Sequence, residues 1–294
     1  MEVPVRSDVR PRRSILYMPG SNRRALEKGR SLPADGLILD LEDAVAPAAK
    51  EEARRQVLEA LAEGGYGHRE LIVRINGLDS SWGRDDLTAA ATSGADAILL
   101  PKVESADMVR SAEEALHAVG APETLRLWCM IETPLGVLNS REIAASPRLE
   151  ALVMGTSDLA KDLHAAHTPD RLPLVTSLGL CLLAARAHGL AIIDGVHLDL
   201  DDDEGFAESC RQGAEMGFDG KSLIHPKTIA EANRAFAPSP DDVARSHRIA
   251  DAHAEAMAAG KGVVVVDGRL VEALHVAEAA RLIALAEAIA ARQS

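Results

Sequence analysis

The feature that most constrains the fold is a regular alternation of short, strongly apolar runs with longer helical patterns. Continuous apolar strands are typical of parallel sheets that are buried on both faces. Eight strand–helix repeats therefore predict an α/β protein with a closed (β/α)8 TIM barrel. The predicted strands are Ser14–Met18, Gly36–Leu41, Leu71–Ile75, Ala97–Leu100, Leu125–Ile131, Leu149–Met154, Ala191–Asp194 and Gly220–Ile224.

Helical patterns fill the intervals between these strands, and each is long enough to connect two parallel neighbours. The main competing fold is an open, doubly wound sheet, but the glycine-rich dinucleotide fingerprint that such a sheet often carries is missing. The predicted helices are Asn22–Ser31, Pro47–Ala62, Trp82–Ser93, Ala106–Val119, Leu135–Ala145, Leu174–His188, Asp203–Met216 and Lys227–Phe236.

A proline-rich break at Pro238-Ser239-Pro240 separates a tail from this pattern. We therefore predict a catalytic barrel domain over residues 1–237 and a C-terminal lid and oligomerisation arm over residues 238–294. Because the predicted tail strand is fully apolar, we expect a second subunit to cover it. The tail elements are predicted as a helix Asp241–Ala258, a strand Val263–Val266, a turn at Asp267-Gly268 and a helix Val271–Ala290.

Composition limits the classes of partner and compartment. The formal net charge of −13 argues against nucleic acid as a ligand, since duplex binding needs a basic face. No apolar run approaches the ~20 residues of a membrane span, and no signal peptide is recognised. Cys129, Cys181 and Cys210 lack metal-ligand spacing and are expected to be buried thiols. A cytoplasmic protein is the expected result.

Two carboxylates follow two successive predicted strands: Glu132 after the fifth and Asp158 after the sixth. In a barrel, residues at the carboxyl ends of strands face the active site. Two hard oxygen ligands on neighbouring strands, completed by water and a chelating substrate, suit octahedral Mg²⁺. The alternative is that each acid only caps the helix that follows it.

Further polar residues gather at the same rim. Arg74 ends the third strand, where a guanidinium can hold a carboxylate or an oxyanion. The alternative is a structural ion pair with Glu42 or Asp43, and both can hold together, since the run DLED could orient the arginine. His225 follows the eighth strand, as a ligand contact or as a packed histidine. Basic residues are expected to hold phosphate groups on an anionic ligand, and they are Arg23, Arg24, Lys28 and Lys221.

These residues lie in ordered segments that together resemble one family, from about Ser14 to Ala290. The chain resembles the malyl-CoA lyase / citrate lyase β-subunit family of HpcH/HpaI-type CoA-ester aldolases. The segments that carry the resemblance are LYMPGSNRRALEK, LILDLEDAVAP, LIVRINGLD, MIETPLGVLN, LVMGTSDLA, GKSLIHPKTIAEAN and VDGRLVEALHVAEAARLIALA.

The resemblance implies a (β/α)8 barrel that forms a homotrimer or hexamer, with the C-terminal arm reaching a neighbouring subunit. It implies that Glu132 and Asp158 hold Mg²⁺, with Mn²⁺ as an alternative, and that Arg74 is catalytic. The positions that it implies for contact with the CoA thioester and the small oxoacid are Tyr17, Met18, Asn22, Lys28, Glu42, Asp43, Gly155, Thr156, Ser157, Ile224 and His225. The segment 159–173 is expected to be a loop that shapes the oxoacid end.

One position departs from the family pattern. Family members place a catalytic aspartate four residues after the glycine of the tail turn, supplied across the subunit interface. Counted from Gly268, that position holds Glu272, which is a carboxylate one methylene longer. Asp267 is the reserve candidate for the same role.

The resemblance implies a Mg²⁺-dependent carbon–carbon lyase that cleaves malyl-, methylmalyl- or citramalyl-CoA to an acyl-CoA and glyoxylate or pyruvate. Two alternatives use the same site: a malyl-CoA thioesterase, and a citrate lyase β subunit that acts on an acyl-carrier-protein thioester. A non-catalytic CoA-ester-binding protein and a Mg²⁺ aldolase for free pyruvate are further alternatives. The residues alone leave the identity of the hydroxyacid open.

Overall fold

A computed structural model describes residues 9–258, 260 and 263–292 of the chain. These residues form two compact units. The barrel unit spans Arg12–Phe236, and the tail unit consists of the described residues on either side of it. No helix within these described ranges is both long and apolar enough to cross a lipid bilayer.

The barrel unit is a closed barrel of eight parallel strands in chain order, which confirms the predicted fold and excludes the open sheet. Predicted and observed strand ends differ by at most one residue, because each apolar run stops where the backbone leaves the core. The strands are β1 (Ser14–Pro19), β2 (Gly36–Asp40), β3 (Glu70–Arg74), β4 (Ala97–Leu100), β5 (Arg126–Ile131), β6 (Leu149–Met154), β7 (Ala191–Asp194) and β8 (Gly220–Leu223).

Helices connect these strands around the outside of the barrel. Short 3-10 turns at Pro47–Ala49 and Pro226–Thr228 precede two of them, where proline loses no hydrogen bond. The helices are α1 (Arg23–Gly29), α2 (Lys50–Glu63), α3 (Gly83–Ala91), α4 (Ala106–Ala118), α5 (Pro134–Leu138), α6 (Ser140–Ala144), α7 (Thr156–Asp162), α8 (Leu172–Ala187), α9 (Asp203–Met216) and α10 (Ile229–Ala235).

Two predictions of helical structure are wrong in detail. The predicted single helix 135–145 is divided into α5 and α6 at Asn139, whose side-chain amide donates a hydrogen bond of 2.7 Å to Glu104 O. The segment 159–173 is not a loop from its start, because α7 continues to Asp162. A seven-residue helix has too few turns to show helical periodicity.

The strands separate two layers of core. Side chains that alternate along a strand point to opposite faces, so Ile15 and Trp128 fill the barrel interior while Leu16 and Met18 pack outward against the helices. Trp128 is fully buried in a chain with few aromatic residues. The barrel interior is therefore filled by side chains rather than forming a pore.

A buried ionic cluster on the outer face of β7 and β8 corrects the expectation that Lys221 binds phosphate. The Lys221 side chain is buried, and its Nζ lies 2.8 Å from Asp194 Oδ2. Arg171, at the start of α8, contacts the same carboxylate at 2.7 Å. Burial opposes the charge of Lys221 and lowers its pKa. The cluster joins the segment before α8 to the barrel wall.

The tail unit contains a helix, a hairpin and a second helix: α11 (Pro240–Ala258), β9 (Val264–Val266), β10 (Arg269–Val271) and α12 (Ala273–Ala291). The return strand β10 was not predicted, and the last helix begins two residues later than expected. The turn between the strands has positive φ at both Asp267 (49°) and Gly268 (75°). An Asp-Gly pair in this conformation closes a two-residue antiparallel hairpin, which explains the additional strand.

The tail strand is covered in part by its own unit. Val264 and Val266 pack against a small apolar cluster of Ile249, Val271 and Ala279. Val265 points the other way and is 63% exposed. The whole run therefore does not need a second subunit as cover, and the predicted oligomer rests on the family resemblance.

Candidate functional site

Polar residues from the carboxyl ends of the strands surround one cavity of about 360 Å³ at the rim of the barrel unit. The strand direction places them there, because all eight strands are parallel and end at the same face. Predicted site residues that line this cavity are Tyr17, Asp43, Arg74, Glu132, Gly155, Thr156, Ser157, Asp158 and Ile224.

Glu132 follows β5 and is 3% exposed. Its neighbour Thr133 caps α5 by accepting a hydrogen bond of 3.1 Å from Gly136 N, so Glu132 is not needed as a cap. Glu132 Oε1 accepts a hydrogen bond of 2.8 Å from Lys102 N. Burial raises the pKa of Glu132 to about 7. A buried carboxylate with one anchored oxygen is suited to binding a cation.

Gly155, between β6 and α7, makes room for this carboxylate. A Cβ atom at position 155 would lie 2.3 Å from Glu132 Cβ and 2.6 Å from its Oε2, which is closer than real atoms approach. The absence of a side chain at Gly155 therefore lets the carboxylate of Glu132 lie against the start of α7. Gly155 was predicted to touch the oxoacid, and this contact gives it a second role.

Asp158 lies in the first turn of α7 with its side chain 29% exposed. Its carboxylate contacts two ammonium groups, at 3.4 Å for Lys161 and 3.7 Å for Lys102. In the described part of the chain, no group of three or more His, Cys, Asp or Glu side chains forms a metal site. Glu132 and Asp158 are thus two hard oxygen donors at one cavity, a set that fits Mg²⁺ with water or substrate as the remaining ligands.

Arg74 is held in place by a residue that was not predicted as part of the site. Asp40, at the end of β2, accepts two hydrogen bonds from it, at 2.7 Å from Nε and 2.6 Å from Nη2. Arg74 Nη1 lies 2.8 Å from Glu42 and 3.4 Å from Asp43. Arg74 also lies over the Tyr17 ring, at 4.9 Å. The ion-pair alternative is therefore correct for Glu42 and Asp43, although Asp40 is the principal partner.

The role of Asp40 follows from the register of the barrel. Asp40 and Arg74 are the last residues of β2 and β3 and are directly paired in the barrel. Opposite charges at the paired ends of neighbouring strands indicate a contact.

Lys102, after β4, is a second residue that sequence reasoning did not assign. Its Nζ lies 2.7 Å from Glu42 Oε1. Burial lowers the pKa of Lys102, but the hydrogen bond to Glu42 and the nearby acids outweigh burial and raise it above the ordinary value. No sequence signal marked this residue, because its contacts come from three different strand ends.

Comparisons with known proteins agree with this geometry. Residues 13–226 match the family model described as HpcH/HpaI aldolase/citrate lyase. The chain belongs to the HpcH/HpaI aldolase/citrate lyase family.

Similar proteins extend the match over almost the whole chain. A (3S)-malyl-CoA thioesterase of Cereibacter sphaeroides (strain KD131 / KCTC 12085) is 53% identical over 96% of both chains. A citrate lyase subunit beta of Leuconostoc mesenteroides subsp. cremoris is 38% identical over 95% of this chain and 94% of its own. The crystal structure of CitE from Mycobacterium tuberculosis, in complex with magnesium, acetoacetate and coenzyme A, is 28% identical, with a TM-score of 0.74 over 94% of this chain and 98% of its own.

Other residues that the family resemblance implicates in CoA binding have varied environments. The Met18 side chain packs in the outer layer near Gly29, so it does not line the cavity. Asn22 caps α1 by accepting a hydrogen bond of 3.1 Å from Ala25 N. Lys28 is exposed in the last turn of α1. His225 Nδ1 accepts a hydrogen bond of 3.1 Å from Lys227 N, so it is a cap at the rim rather than a packed core histidine.

The two candidate carboxylates of the tail unit differ in their partners. Asp267 Oδ2 lies 2.8 Å from Arg248 Nη2, and this hydrogen bond lowers the pKa of Asp267. Glu272 is the residue before α12, and its N–H donates a hydrogen bond of 3.0 Å to His275 Nδ1. Asp267 therefore belongs to the turn of the hairpin, and Glu272 links the hairpin to α12.

Proposed function

We propose that this protein is a Mg²⁺-dependent enzyme that hydrolyses the CoA thioester of a malate-type 3-hydroxyacid. The observation that carries the proposal is the convergence of Glu132, Asp158 and Arg74 on one cavity at the barrel rim. The choice of thioester hydrolysis is supported by the 53% identity with proteins named (3S)-malyl-CoA thioesterase.

Glu132 and Asp158 are the residues that would hold the metal. Mg²⁺ bound there would supply positive charge that stabilises negative charge on a substrate oxygen. The fit is supported by similar proteins, since citrate lyase beta subunit from M. tuberculosis, 30% identical with a TM-score of 0.66, was crystallised with oxaloacetate and magnesium. Mn²⁺ has the same preference for oxygen ligands and is expected to substitute.

Arg74 is proposed to bind the substrate carboxylate or a developing oxyanion. Asp40 holds the Nε and Nη2 atoms of its guanidinium, so Nη1 is the atom that can change partner. A substrate carboxylate would compete there with Glu42 and Asp43. The two hydrogen bonds to Asp40 keep the guanidinium oriented while Nη1 exchanges its partner.

Glu272 is proposed as the general base, supplied by a neighbouring copy in a homotrimer or hexamer. The ion pair with Arg248 lowers the pKa of Asp267 and makes that carboxylate a weaker base, which favours Glu272. A matched pair of variants tests the choice. We expect Glu272→Gln to lose activity and Asp267→Asn to retain it, and the reverse pattern would transfer the role to Asp267.

Carbon–carbon cleavage on the same site is the second candidate, supported by the family and by 38% identity with a citrate lyase subunit beta. Hydrolysis breaks the C–S bond and forms a C–O bond to water, which releases free CoA. Cleavage breaks a C–C bond of the acid and leaves the thioester intact, which yields an acyl-CoA and an oxoacid. The two reactions therefore differ in the fate of the thioester.

The test is incubation with Mg²⁺ and malyl-, methylmalyl-, citramalyl- or citryl-CoA, followed by thiol assay and mass analysis of the products. Free CoA with an intact hydroxyacid supports the thioesterase, and acyl-CoA with glyoxylate or pyruvate supports the lyase. Activity only on an acyl-carrier-protein thioester would identify a citrate lyase β subunit. Binding of CoA esters without any product would identify a non-catalytic protein.

The metal ligands are tested separately. We expect Glu132→Ala to abolish both Mg²⁺ binding and metal-dependent activity, since it removes one of only two carboxylate ligands. Wild-type turnover in this variant would exclude Glu132 as a ligand.

A further inference from the structure

The backbone of Lys102 has an unusual conformation that is directed at the candidate metal site. Its φ is 47°, in the left-handed region that a residue with a Cβ atom seldom occupies. In this conformation its N–H donates the 2.8 Å hydrogen bond to Glu132 Oε1. A strained residue of this kind persists only where its surroundings hold it, and such residues are common at functional sites.

The side chain of Lys102 places its ammonium group among three carboxylates of the same cavity rim. Its Nζ lies 2.7 Å from Glu42 Oε1, 3.7 Å from Asp158 Oδ2 and 3.9 Å from Asp43 Oδ1. One residue thus anchors Glu132 through its main chain and places its ammonium group within ion-pair distance of Asp158. Lys161 also contacts Asp158, but it lies on α7 itself and its side chain is 73% exposed.

We propose that Lys102 is a positioning residue that serves as an internal counter-cation of the metal site, so that a divalent cation at Glu132 and Asp158 competes with its ammonium group. This inference rests on the proposed function only through the metal site. The positive charge of Lys102 offsets part of the negative charge of the carboxylates. The site therefore binds the cation more weakly than the carboxylates alone would.

The size of the effect follows from Coulomb's law. The Lys102 side chain is 46% exposed, so the charge of its ammonium group is screened almost as strongly as in water. With that screening, a unit charge a few ångströms from a divalent cation would change its binding on the order of tenfold. Removal of the ammonium group should therefore tighten Mg²⁺ binding about tenfold.

The experiment is calorimetric titration of the metal-stripped full chain with Mg²⁺. We expect Lys102→Met to bind Mg²⁺ about tenfold more tightly than the wild type, and Lys102→Arg to bind it with nearly wild-type affinity. Lys227→Met is the matched control, because Lys227 is similarly exposed at 37% and pairs with Asp203 instead. That control removes the same net charge and should leave the dissociation constant unchanged.

The direction of the change distinguishes this role from a structural one. Loss of a merely structural lysine would loosen the carboxylates and weaken Mg²⁺ binding, so tighter binding supports the counter-cation. Equal or weaker binding in Lys102→Met overturns the inference. If the wild type binds no Mg²⁺, the metal site of the proposed function fails as well, so the two failures are distinguishable.

A glycine variant removes the remaining ambiguity about folding. Glycine adopts positive φ without strain, so Lys102→Gly keeps the N–H donor to Glu132 while it removes the whole side chain with its ammonium group. We expect Lys102→Gly to bind Mg²⁺ about tenfold more tightly than the wild type, and this can be measured even if the methionine variant folds poorly. Wild-type or weaker affinity in Lys102→Gly would overturn the inference independently.

Discussion

The close contact between Gly155 and Glu132 provides the sharpest test of the site. We expect Gly155→Ala to disrupt the metal site, because the new Cβ would lie 2.3 Å from Glu132 Cβ. That separation is about 1 Å shorter than an ordinary contact between carbon atoms. Gly155 also precedes α7, which carries Asp158. Whether Glu132 or α7 moves, the two carboxylates shift relative to each other.

The magnitude has a structural and a catalytic part. Overpacking of a tightly packed site costs about 1–3 kcal/mol of unfolding free energy. A displacement of about 1 Å at a catalytic group reduces the rate about 10²-fold. We therefore expect Gly155→Ala to remain folded at room temperature, with weaker Mg²⁺ binding and about 10²-fold lower activity.

The assay combines urea denaturation, Mg²⁺ titration and turnover of malyl-CoA. Gly179→Ala is the matched control, because Gly179 lies within α8 and a Cβ there would meet no atom within 4 Å. That control should retain Mg²⁺ affinity and be unchanged or slightly more stable, since alanine favours a helix. A folded Gly155→Ala protein with wild-type Mg²⁺ affinity would refute the reasoning.

Three further predictions concern charge. Because burial raises the pKa of Glu132 to about 7, Mg²⁺ must displace a proton below that pH. Calorimetry should therefore show weaker Mg²⁺ binding at about pH 6 than at about pH 8, and equal affinities would contradict a buried ligand. Asp194→Asn removes the carboxylate that both Arg171 and Lys221 contact. It should lower the free energy of unfolding in urea by about 3–5 kcal/mol. Glu231→Gln, in an exposed pair, serves as its control and should cause no measurable change. Arg74→Lys cannot keep both hydrogen bonds to its aspartate partner, so kcat/KM for malyl-CoA should fall about 10²-fold; near-wild-type kinetics would exclude the proposed role of Arg74.

The barrel could be predicted because its signal is local and repeated. Most strands are largely apolar runs bounded by residues that leave the core, and β4, β6 and β7 have the predicted bounds. Elements with weaker local signals were missed. The helix α7 is short, and β10 contains the exposed residues Arg269 and Leu270, so neither shows a clear period.

The chemistry of the rim was predicted only in part. Glu132, Asp158 and Arg74 could be selected because each lies at or shortly after the end of a predicted strand, which is a local pattern. Asp40 and Lys102 have the same strand-end position, but their roles depend on partners 34 and 30 residues away. Contacts across different strands depend on barrel register, which no local pattern contains.

The amino-acid sequence by itself determined the number and order of the strands, and with them the face at which polar residues gather. These properties depend on the hydrophobic pattern within each segment, which is local, and on the strand–helix alternation, which requires neighbouring strands to be parallel. Only the tertiary structure decided that Asp40 holds Arg74 and that Gly155 makes room for Glu132. It also decided that Lys102 contacts Glu132 through its main chain and Asp158 through its side chain. Such contacts join residues distant in the chain, and they arise only when the closed barrel brings the strand ends within hydrogen-bonding distance.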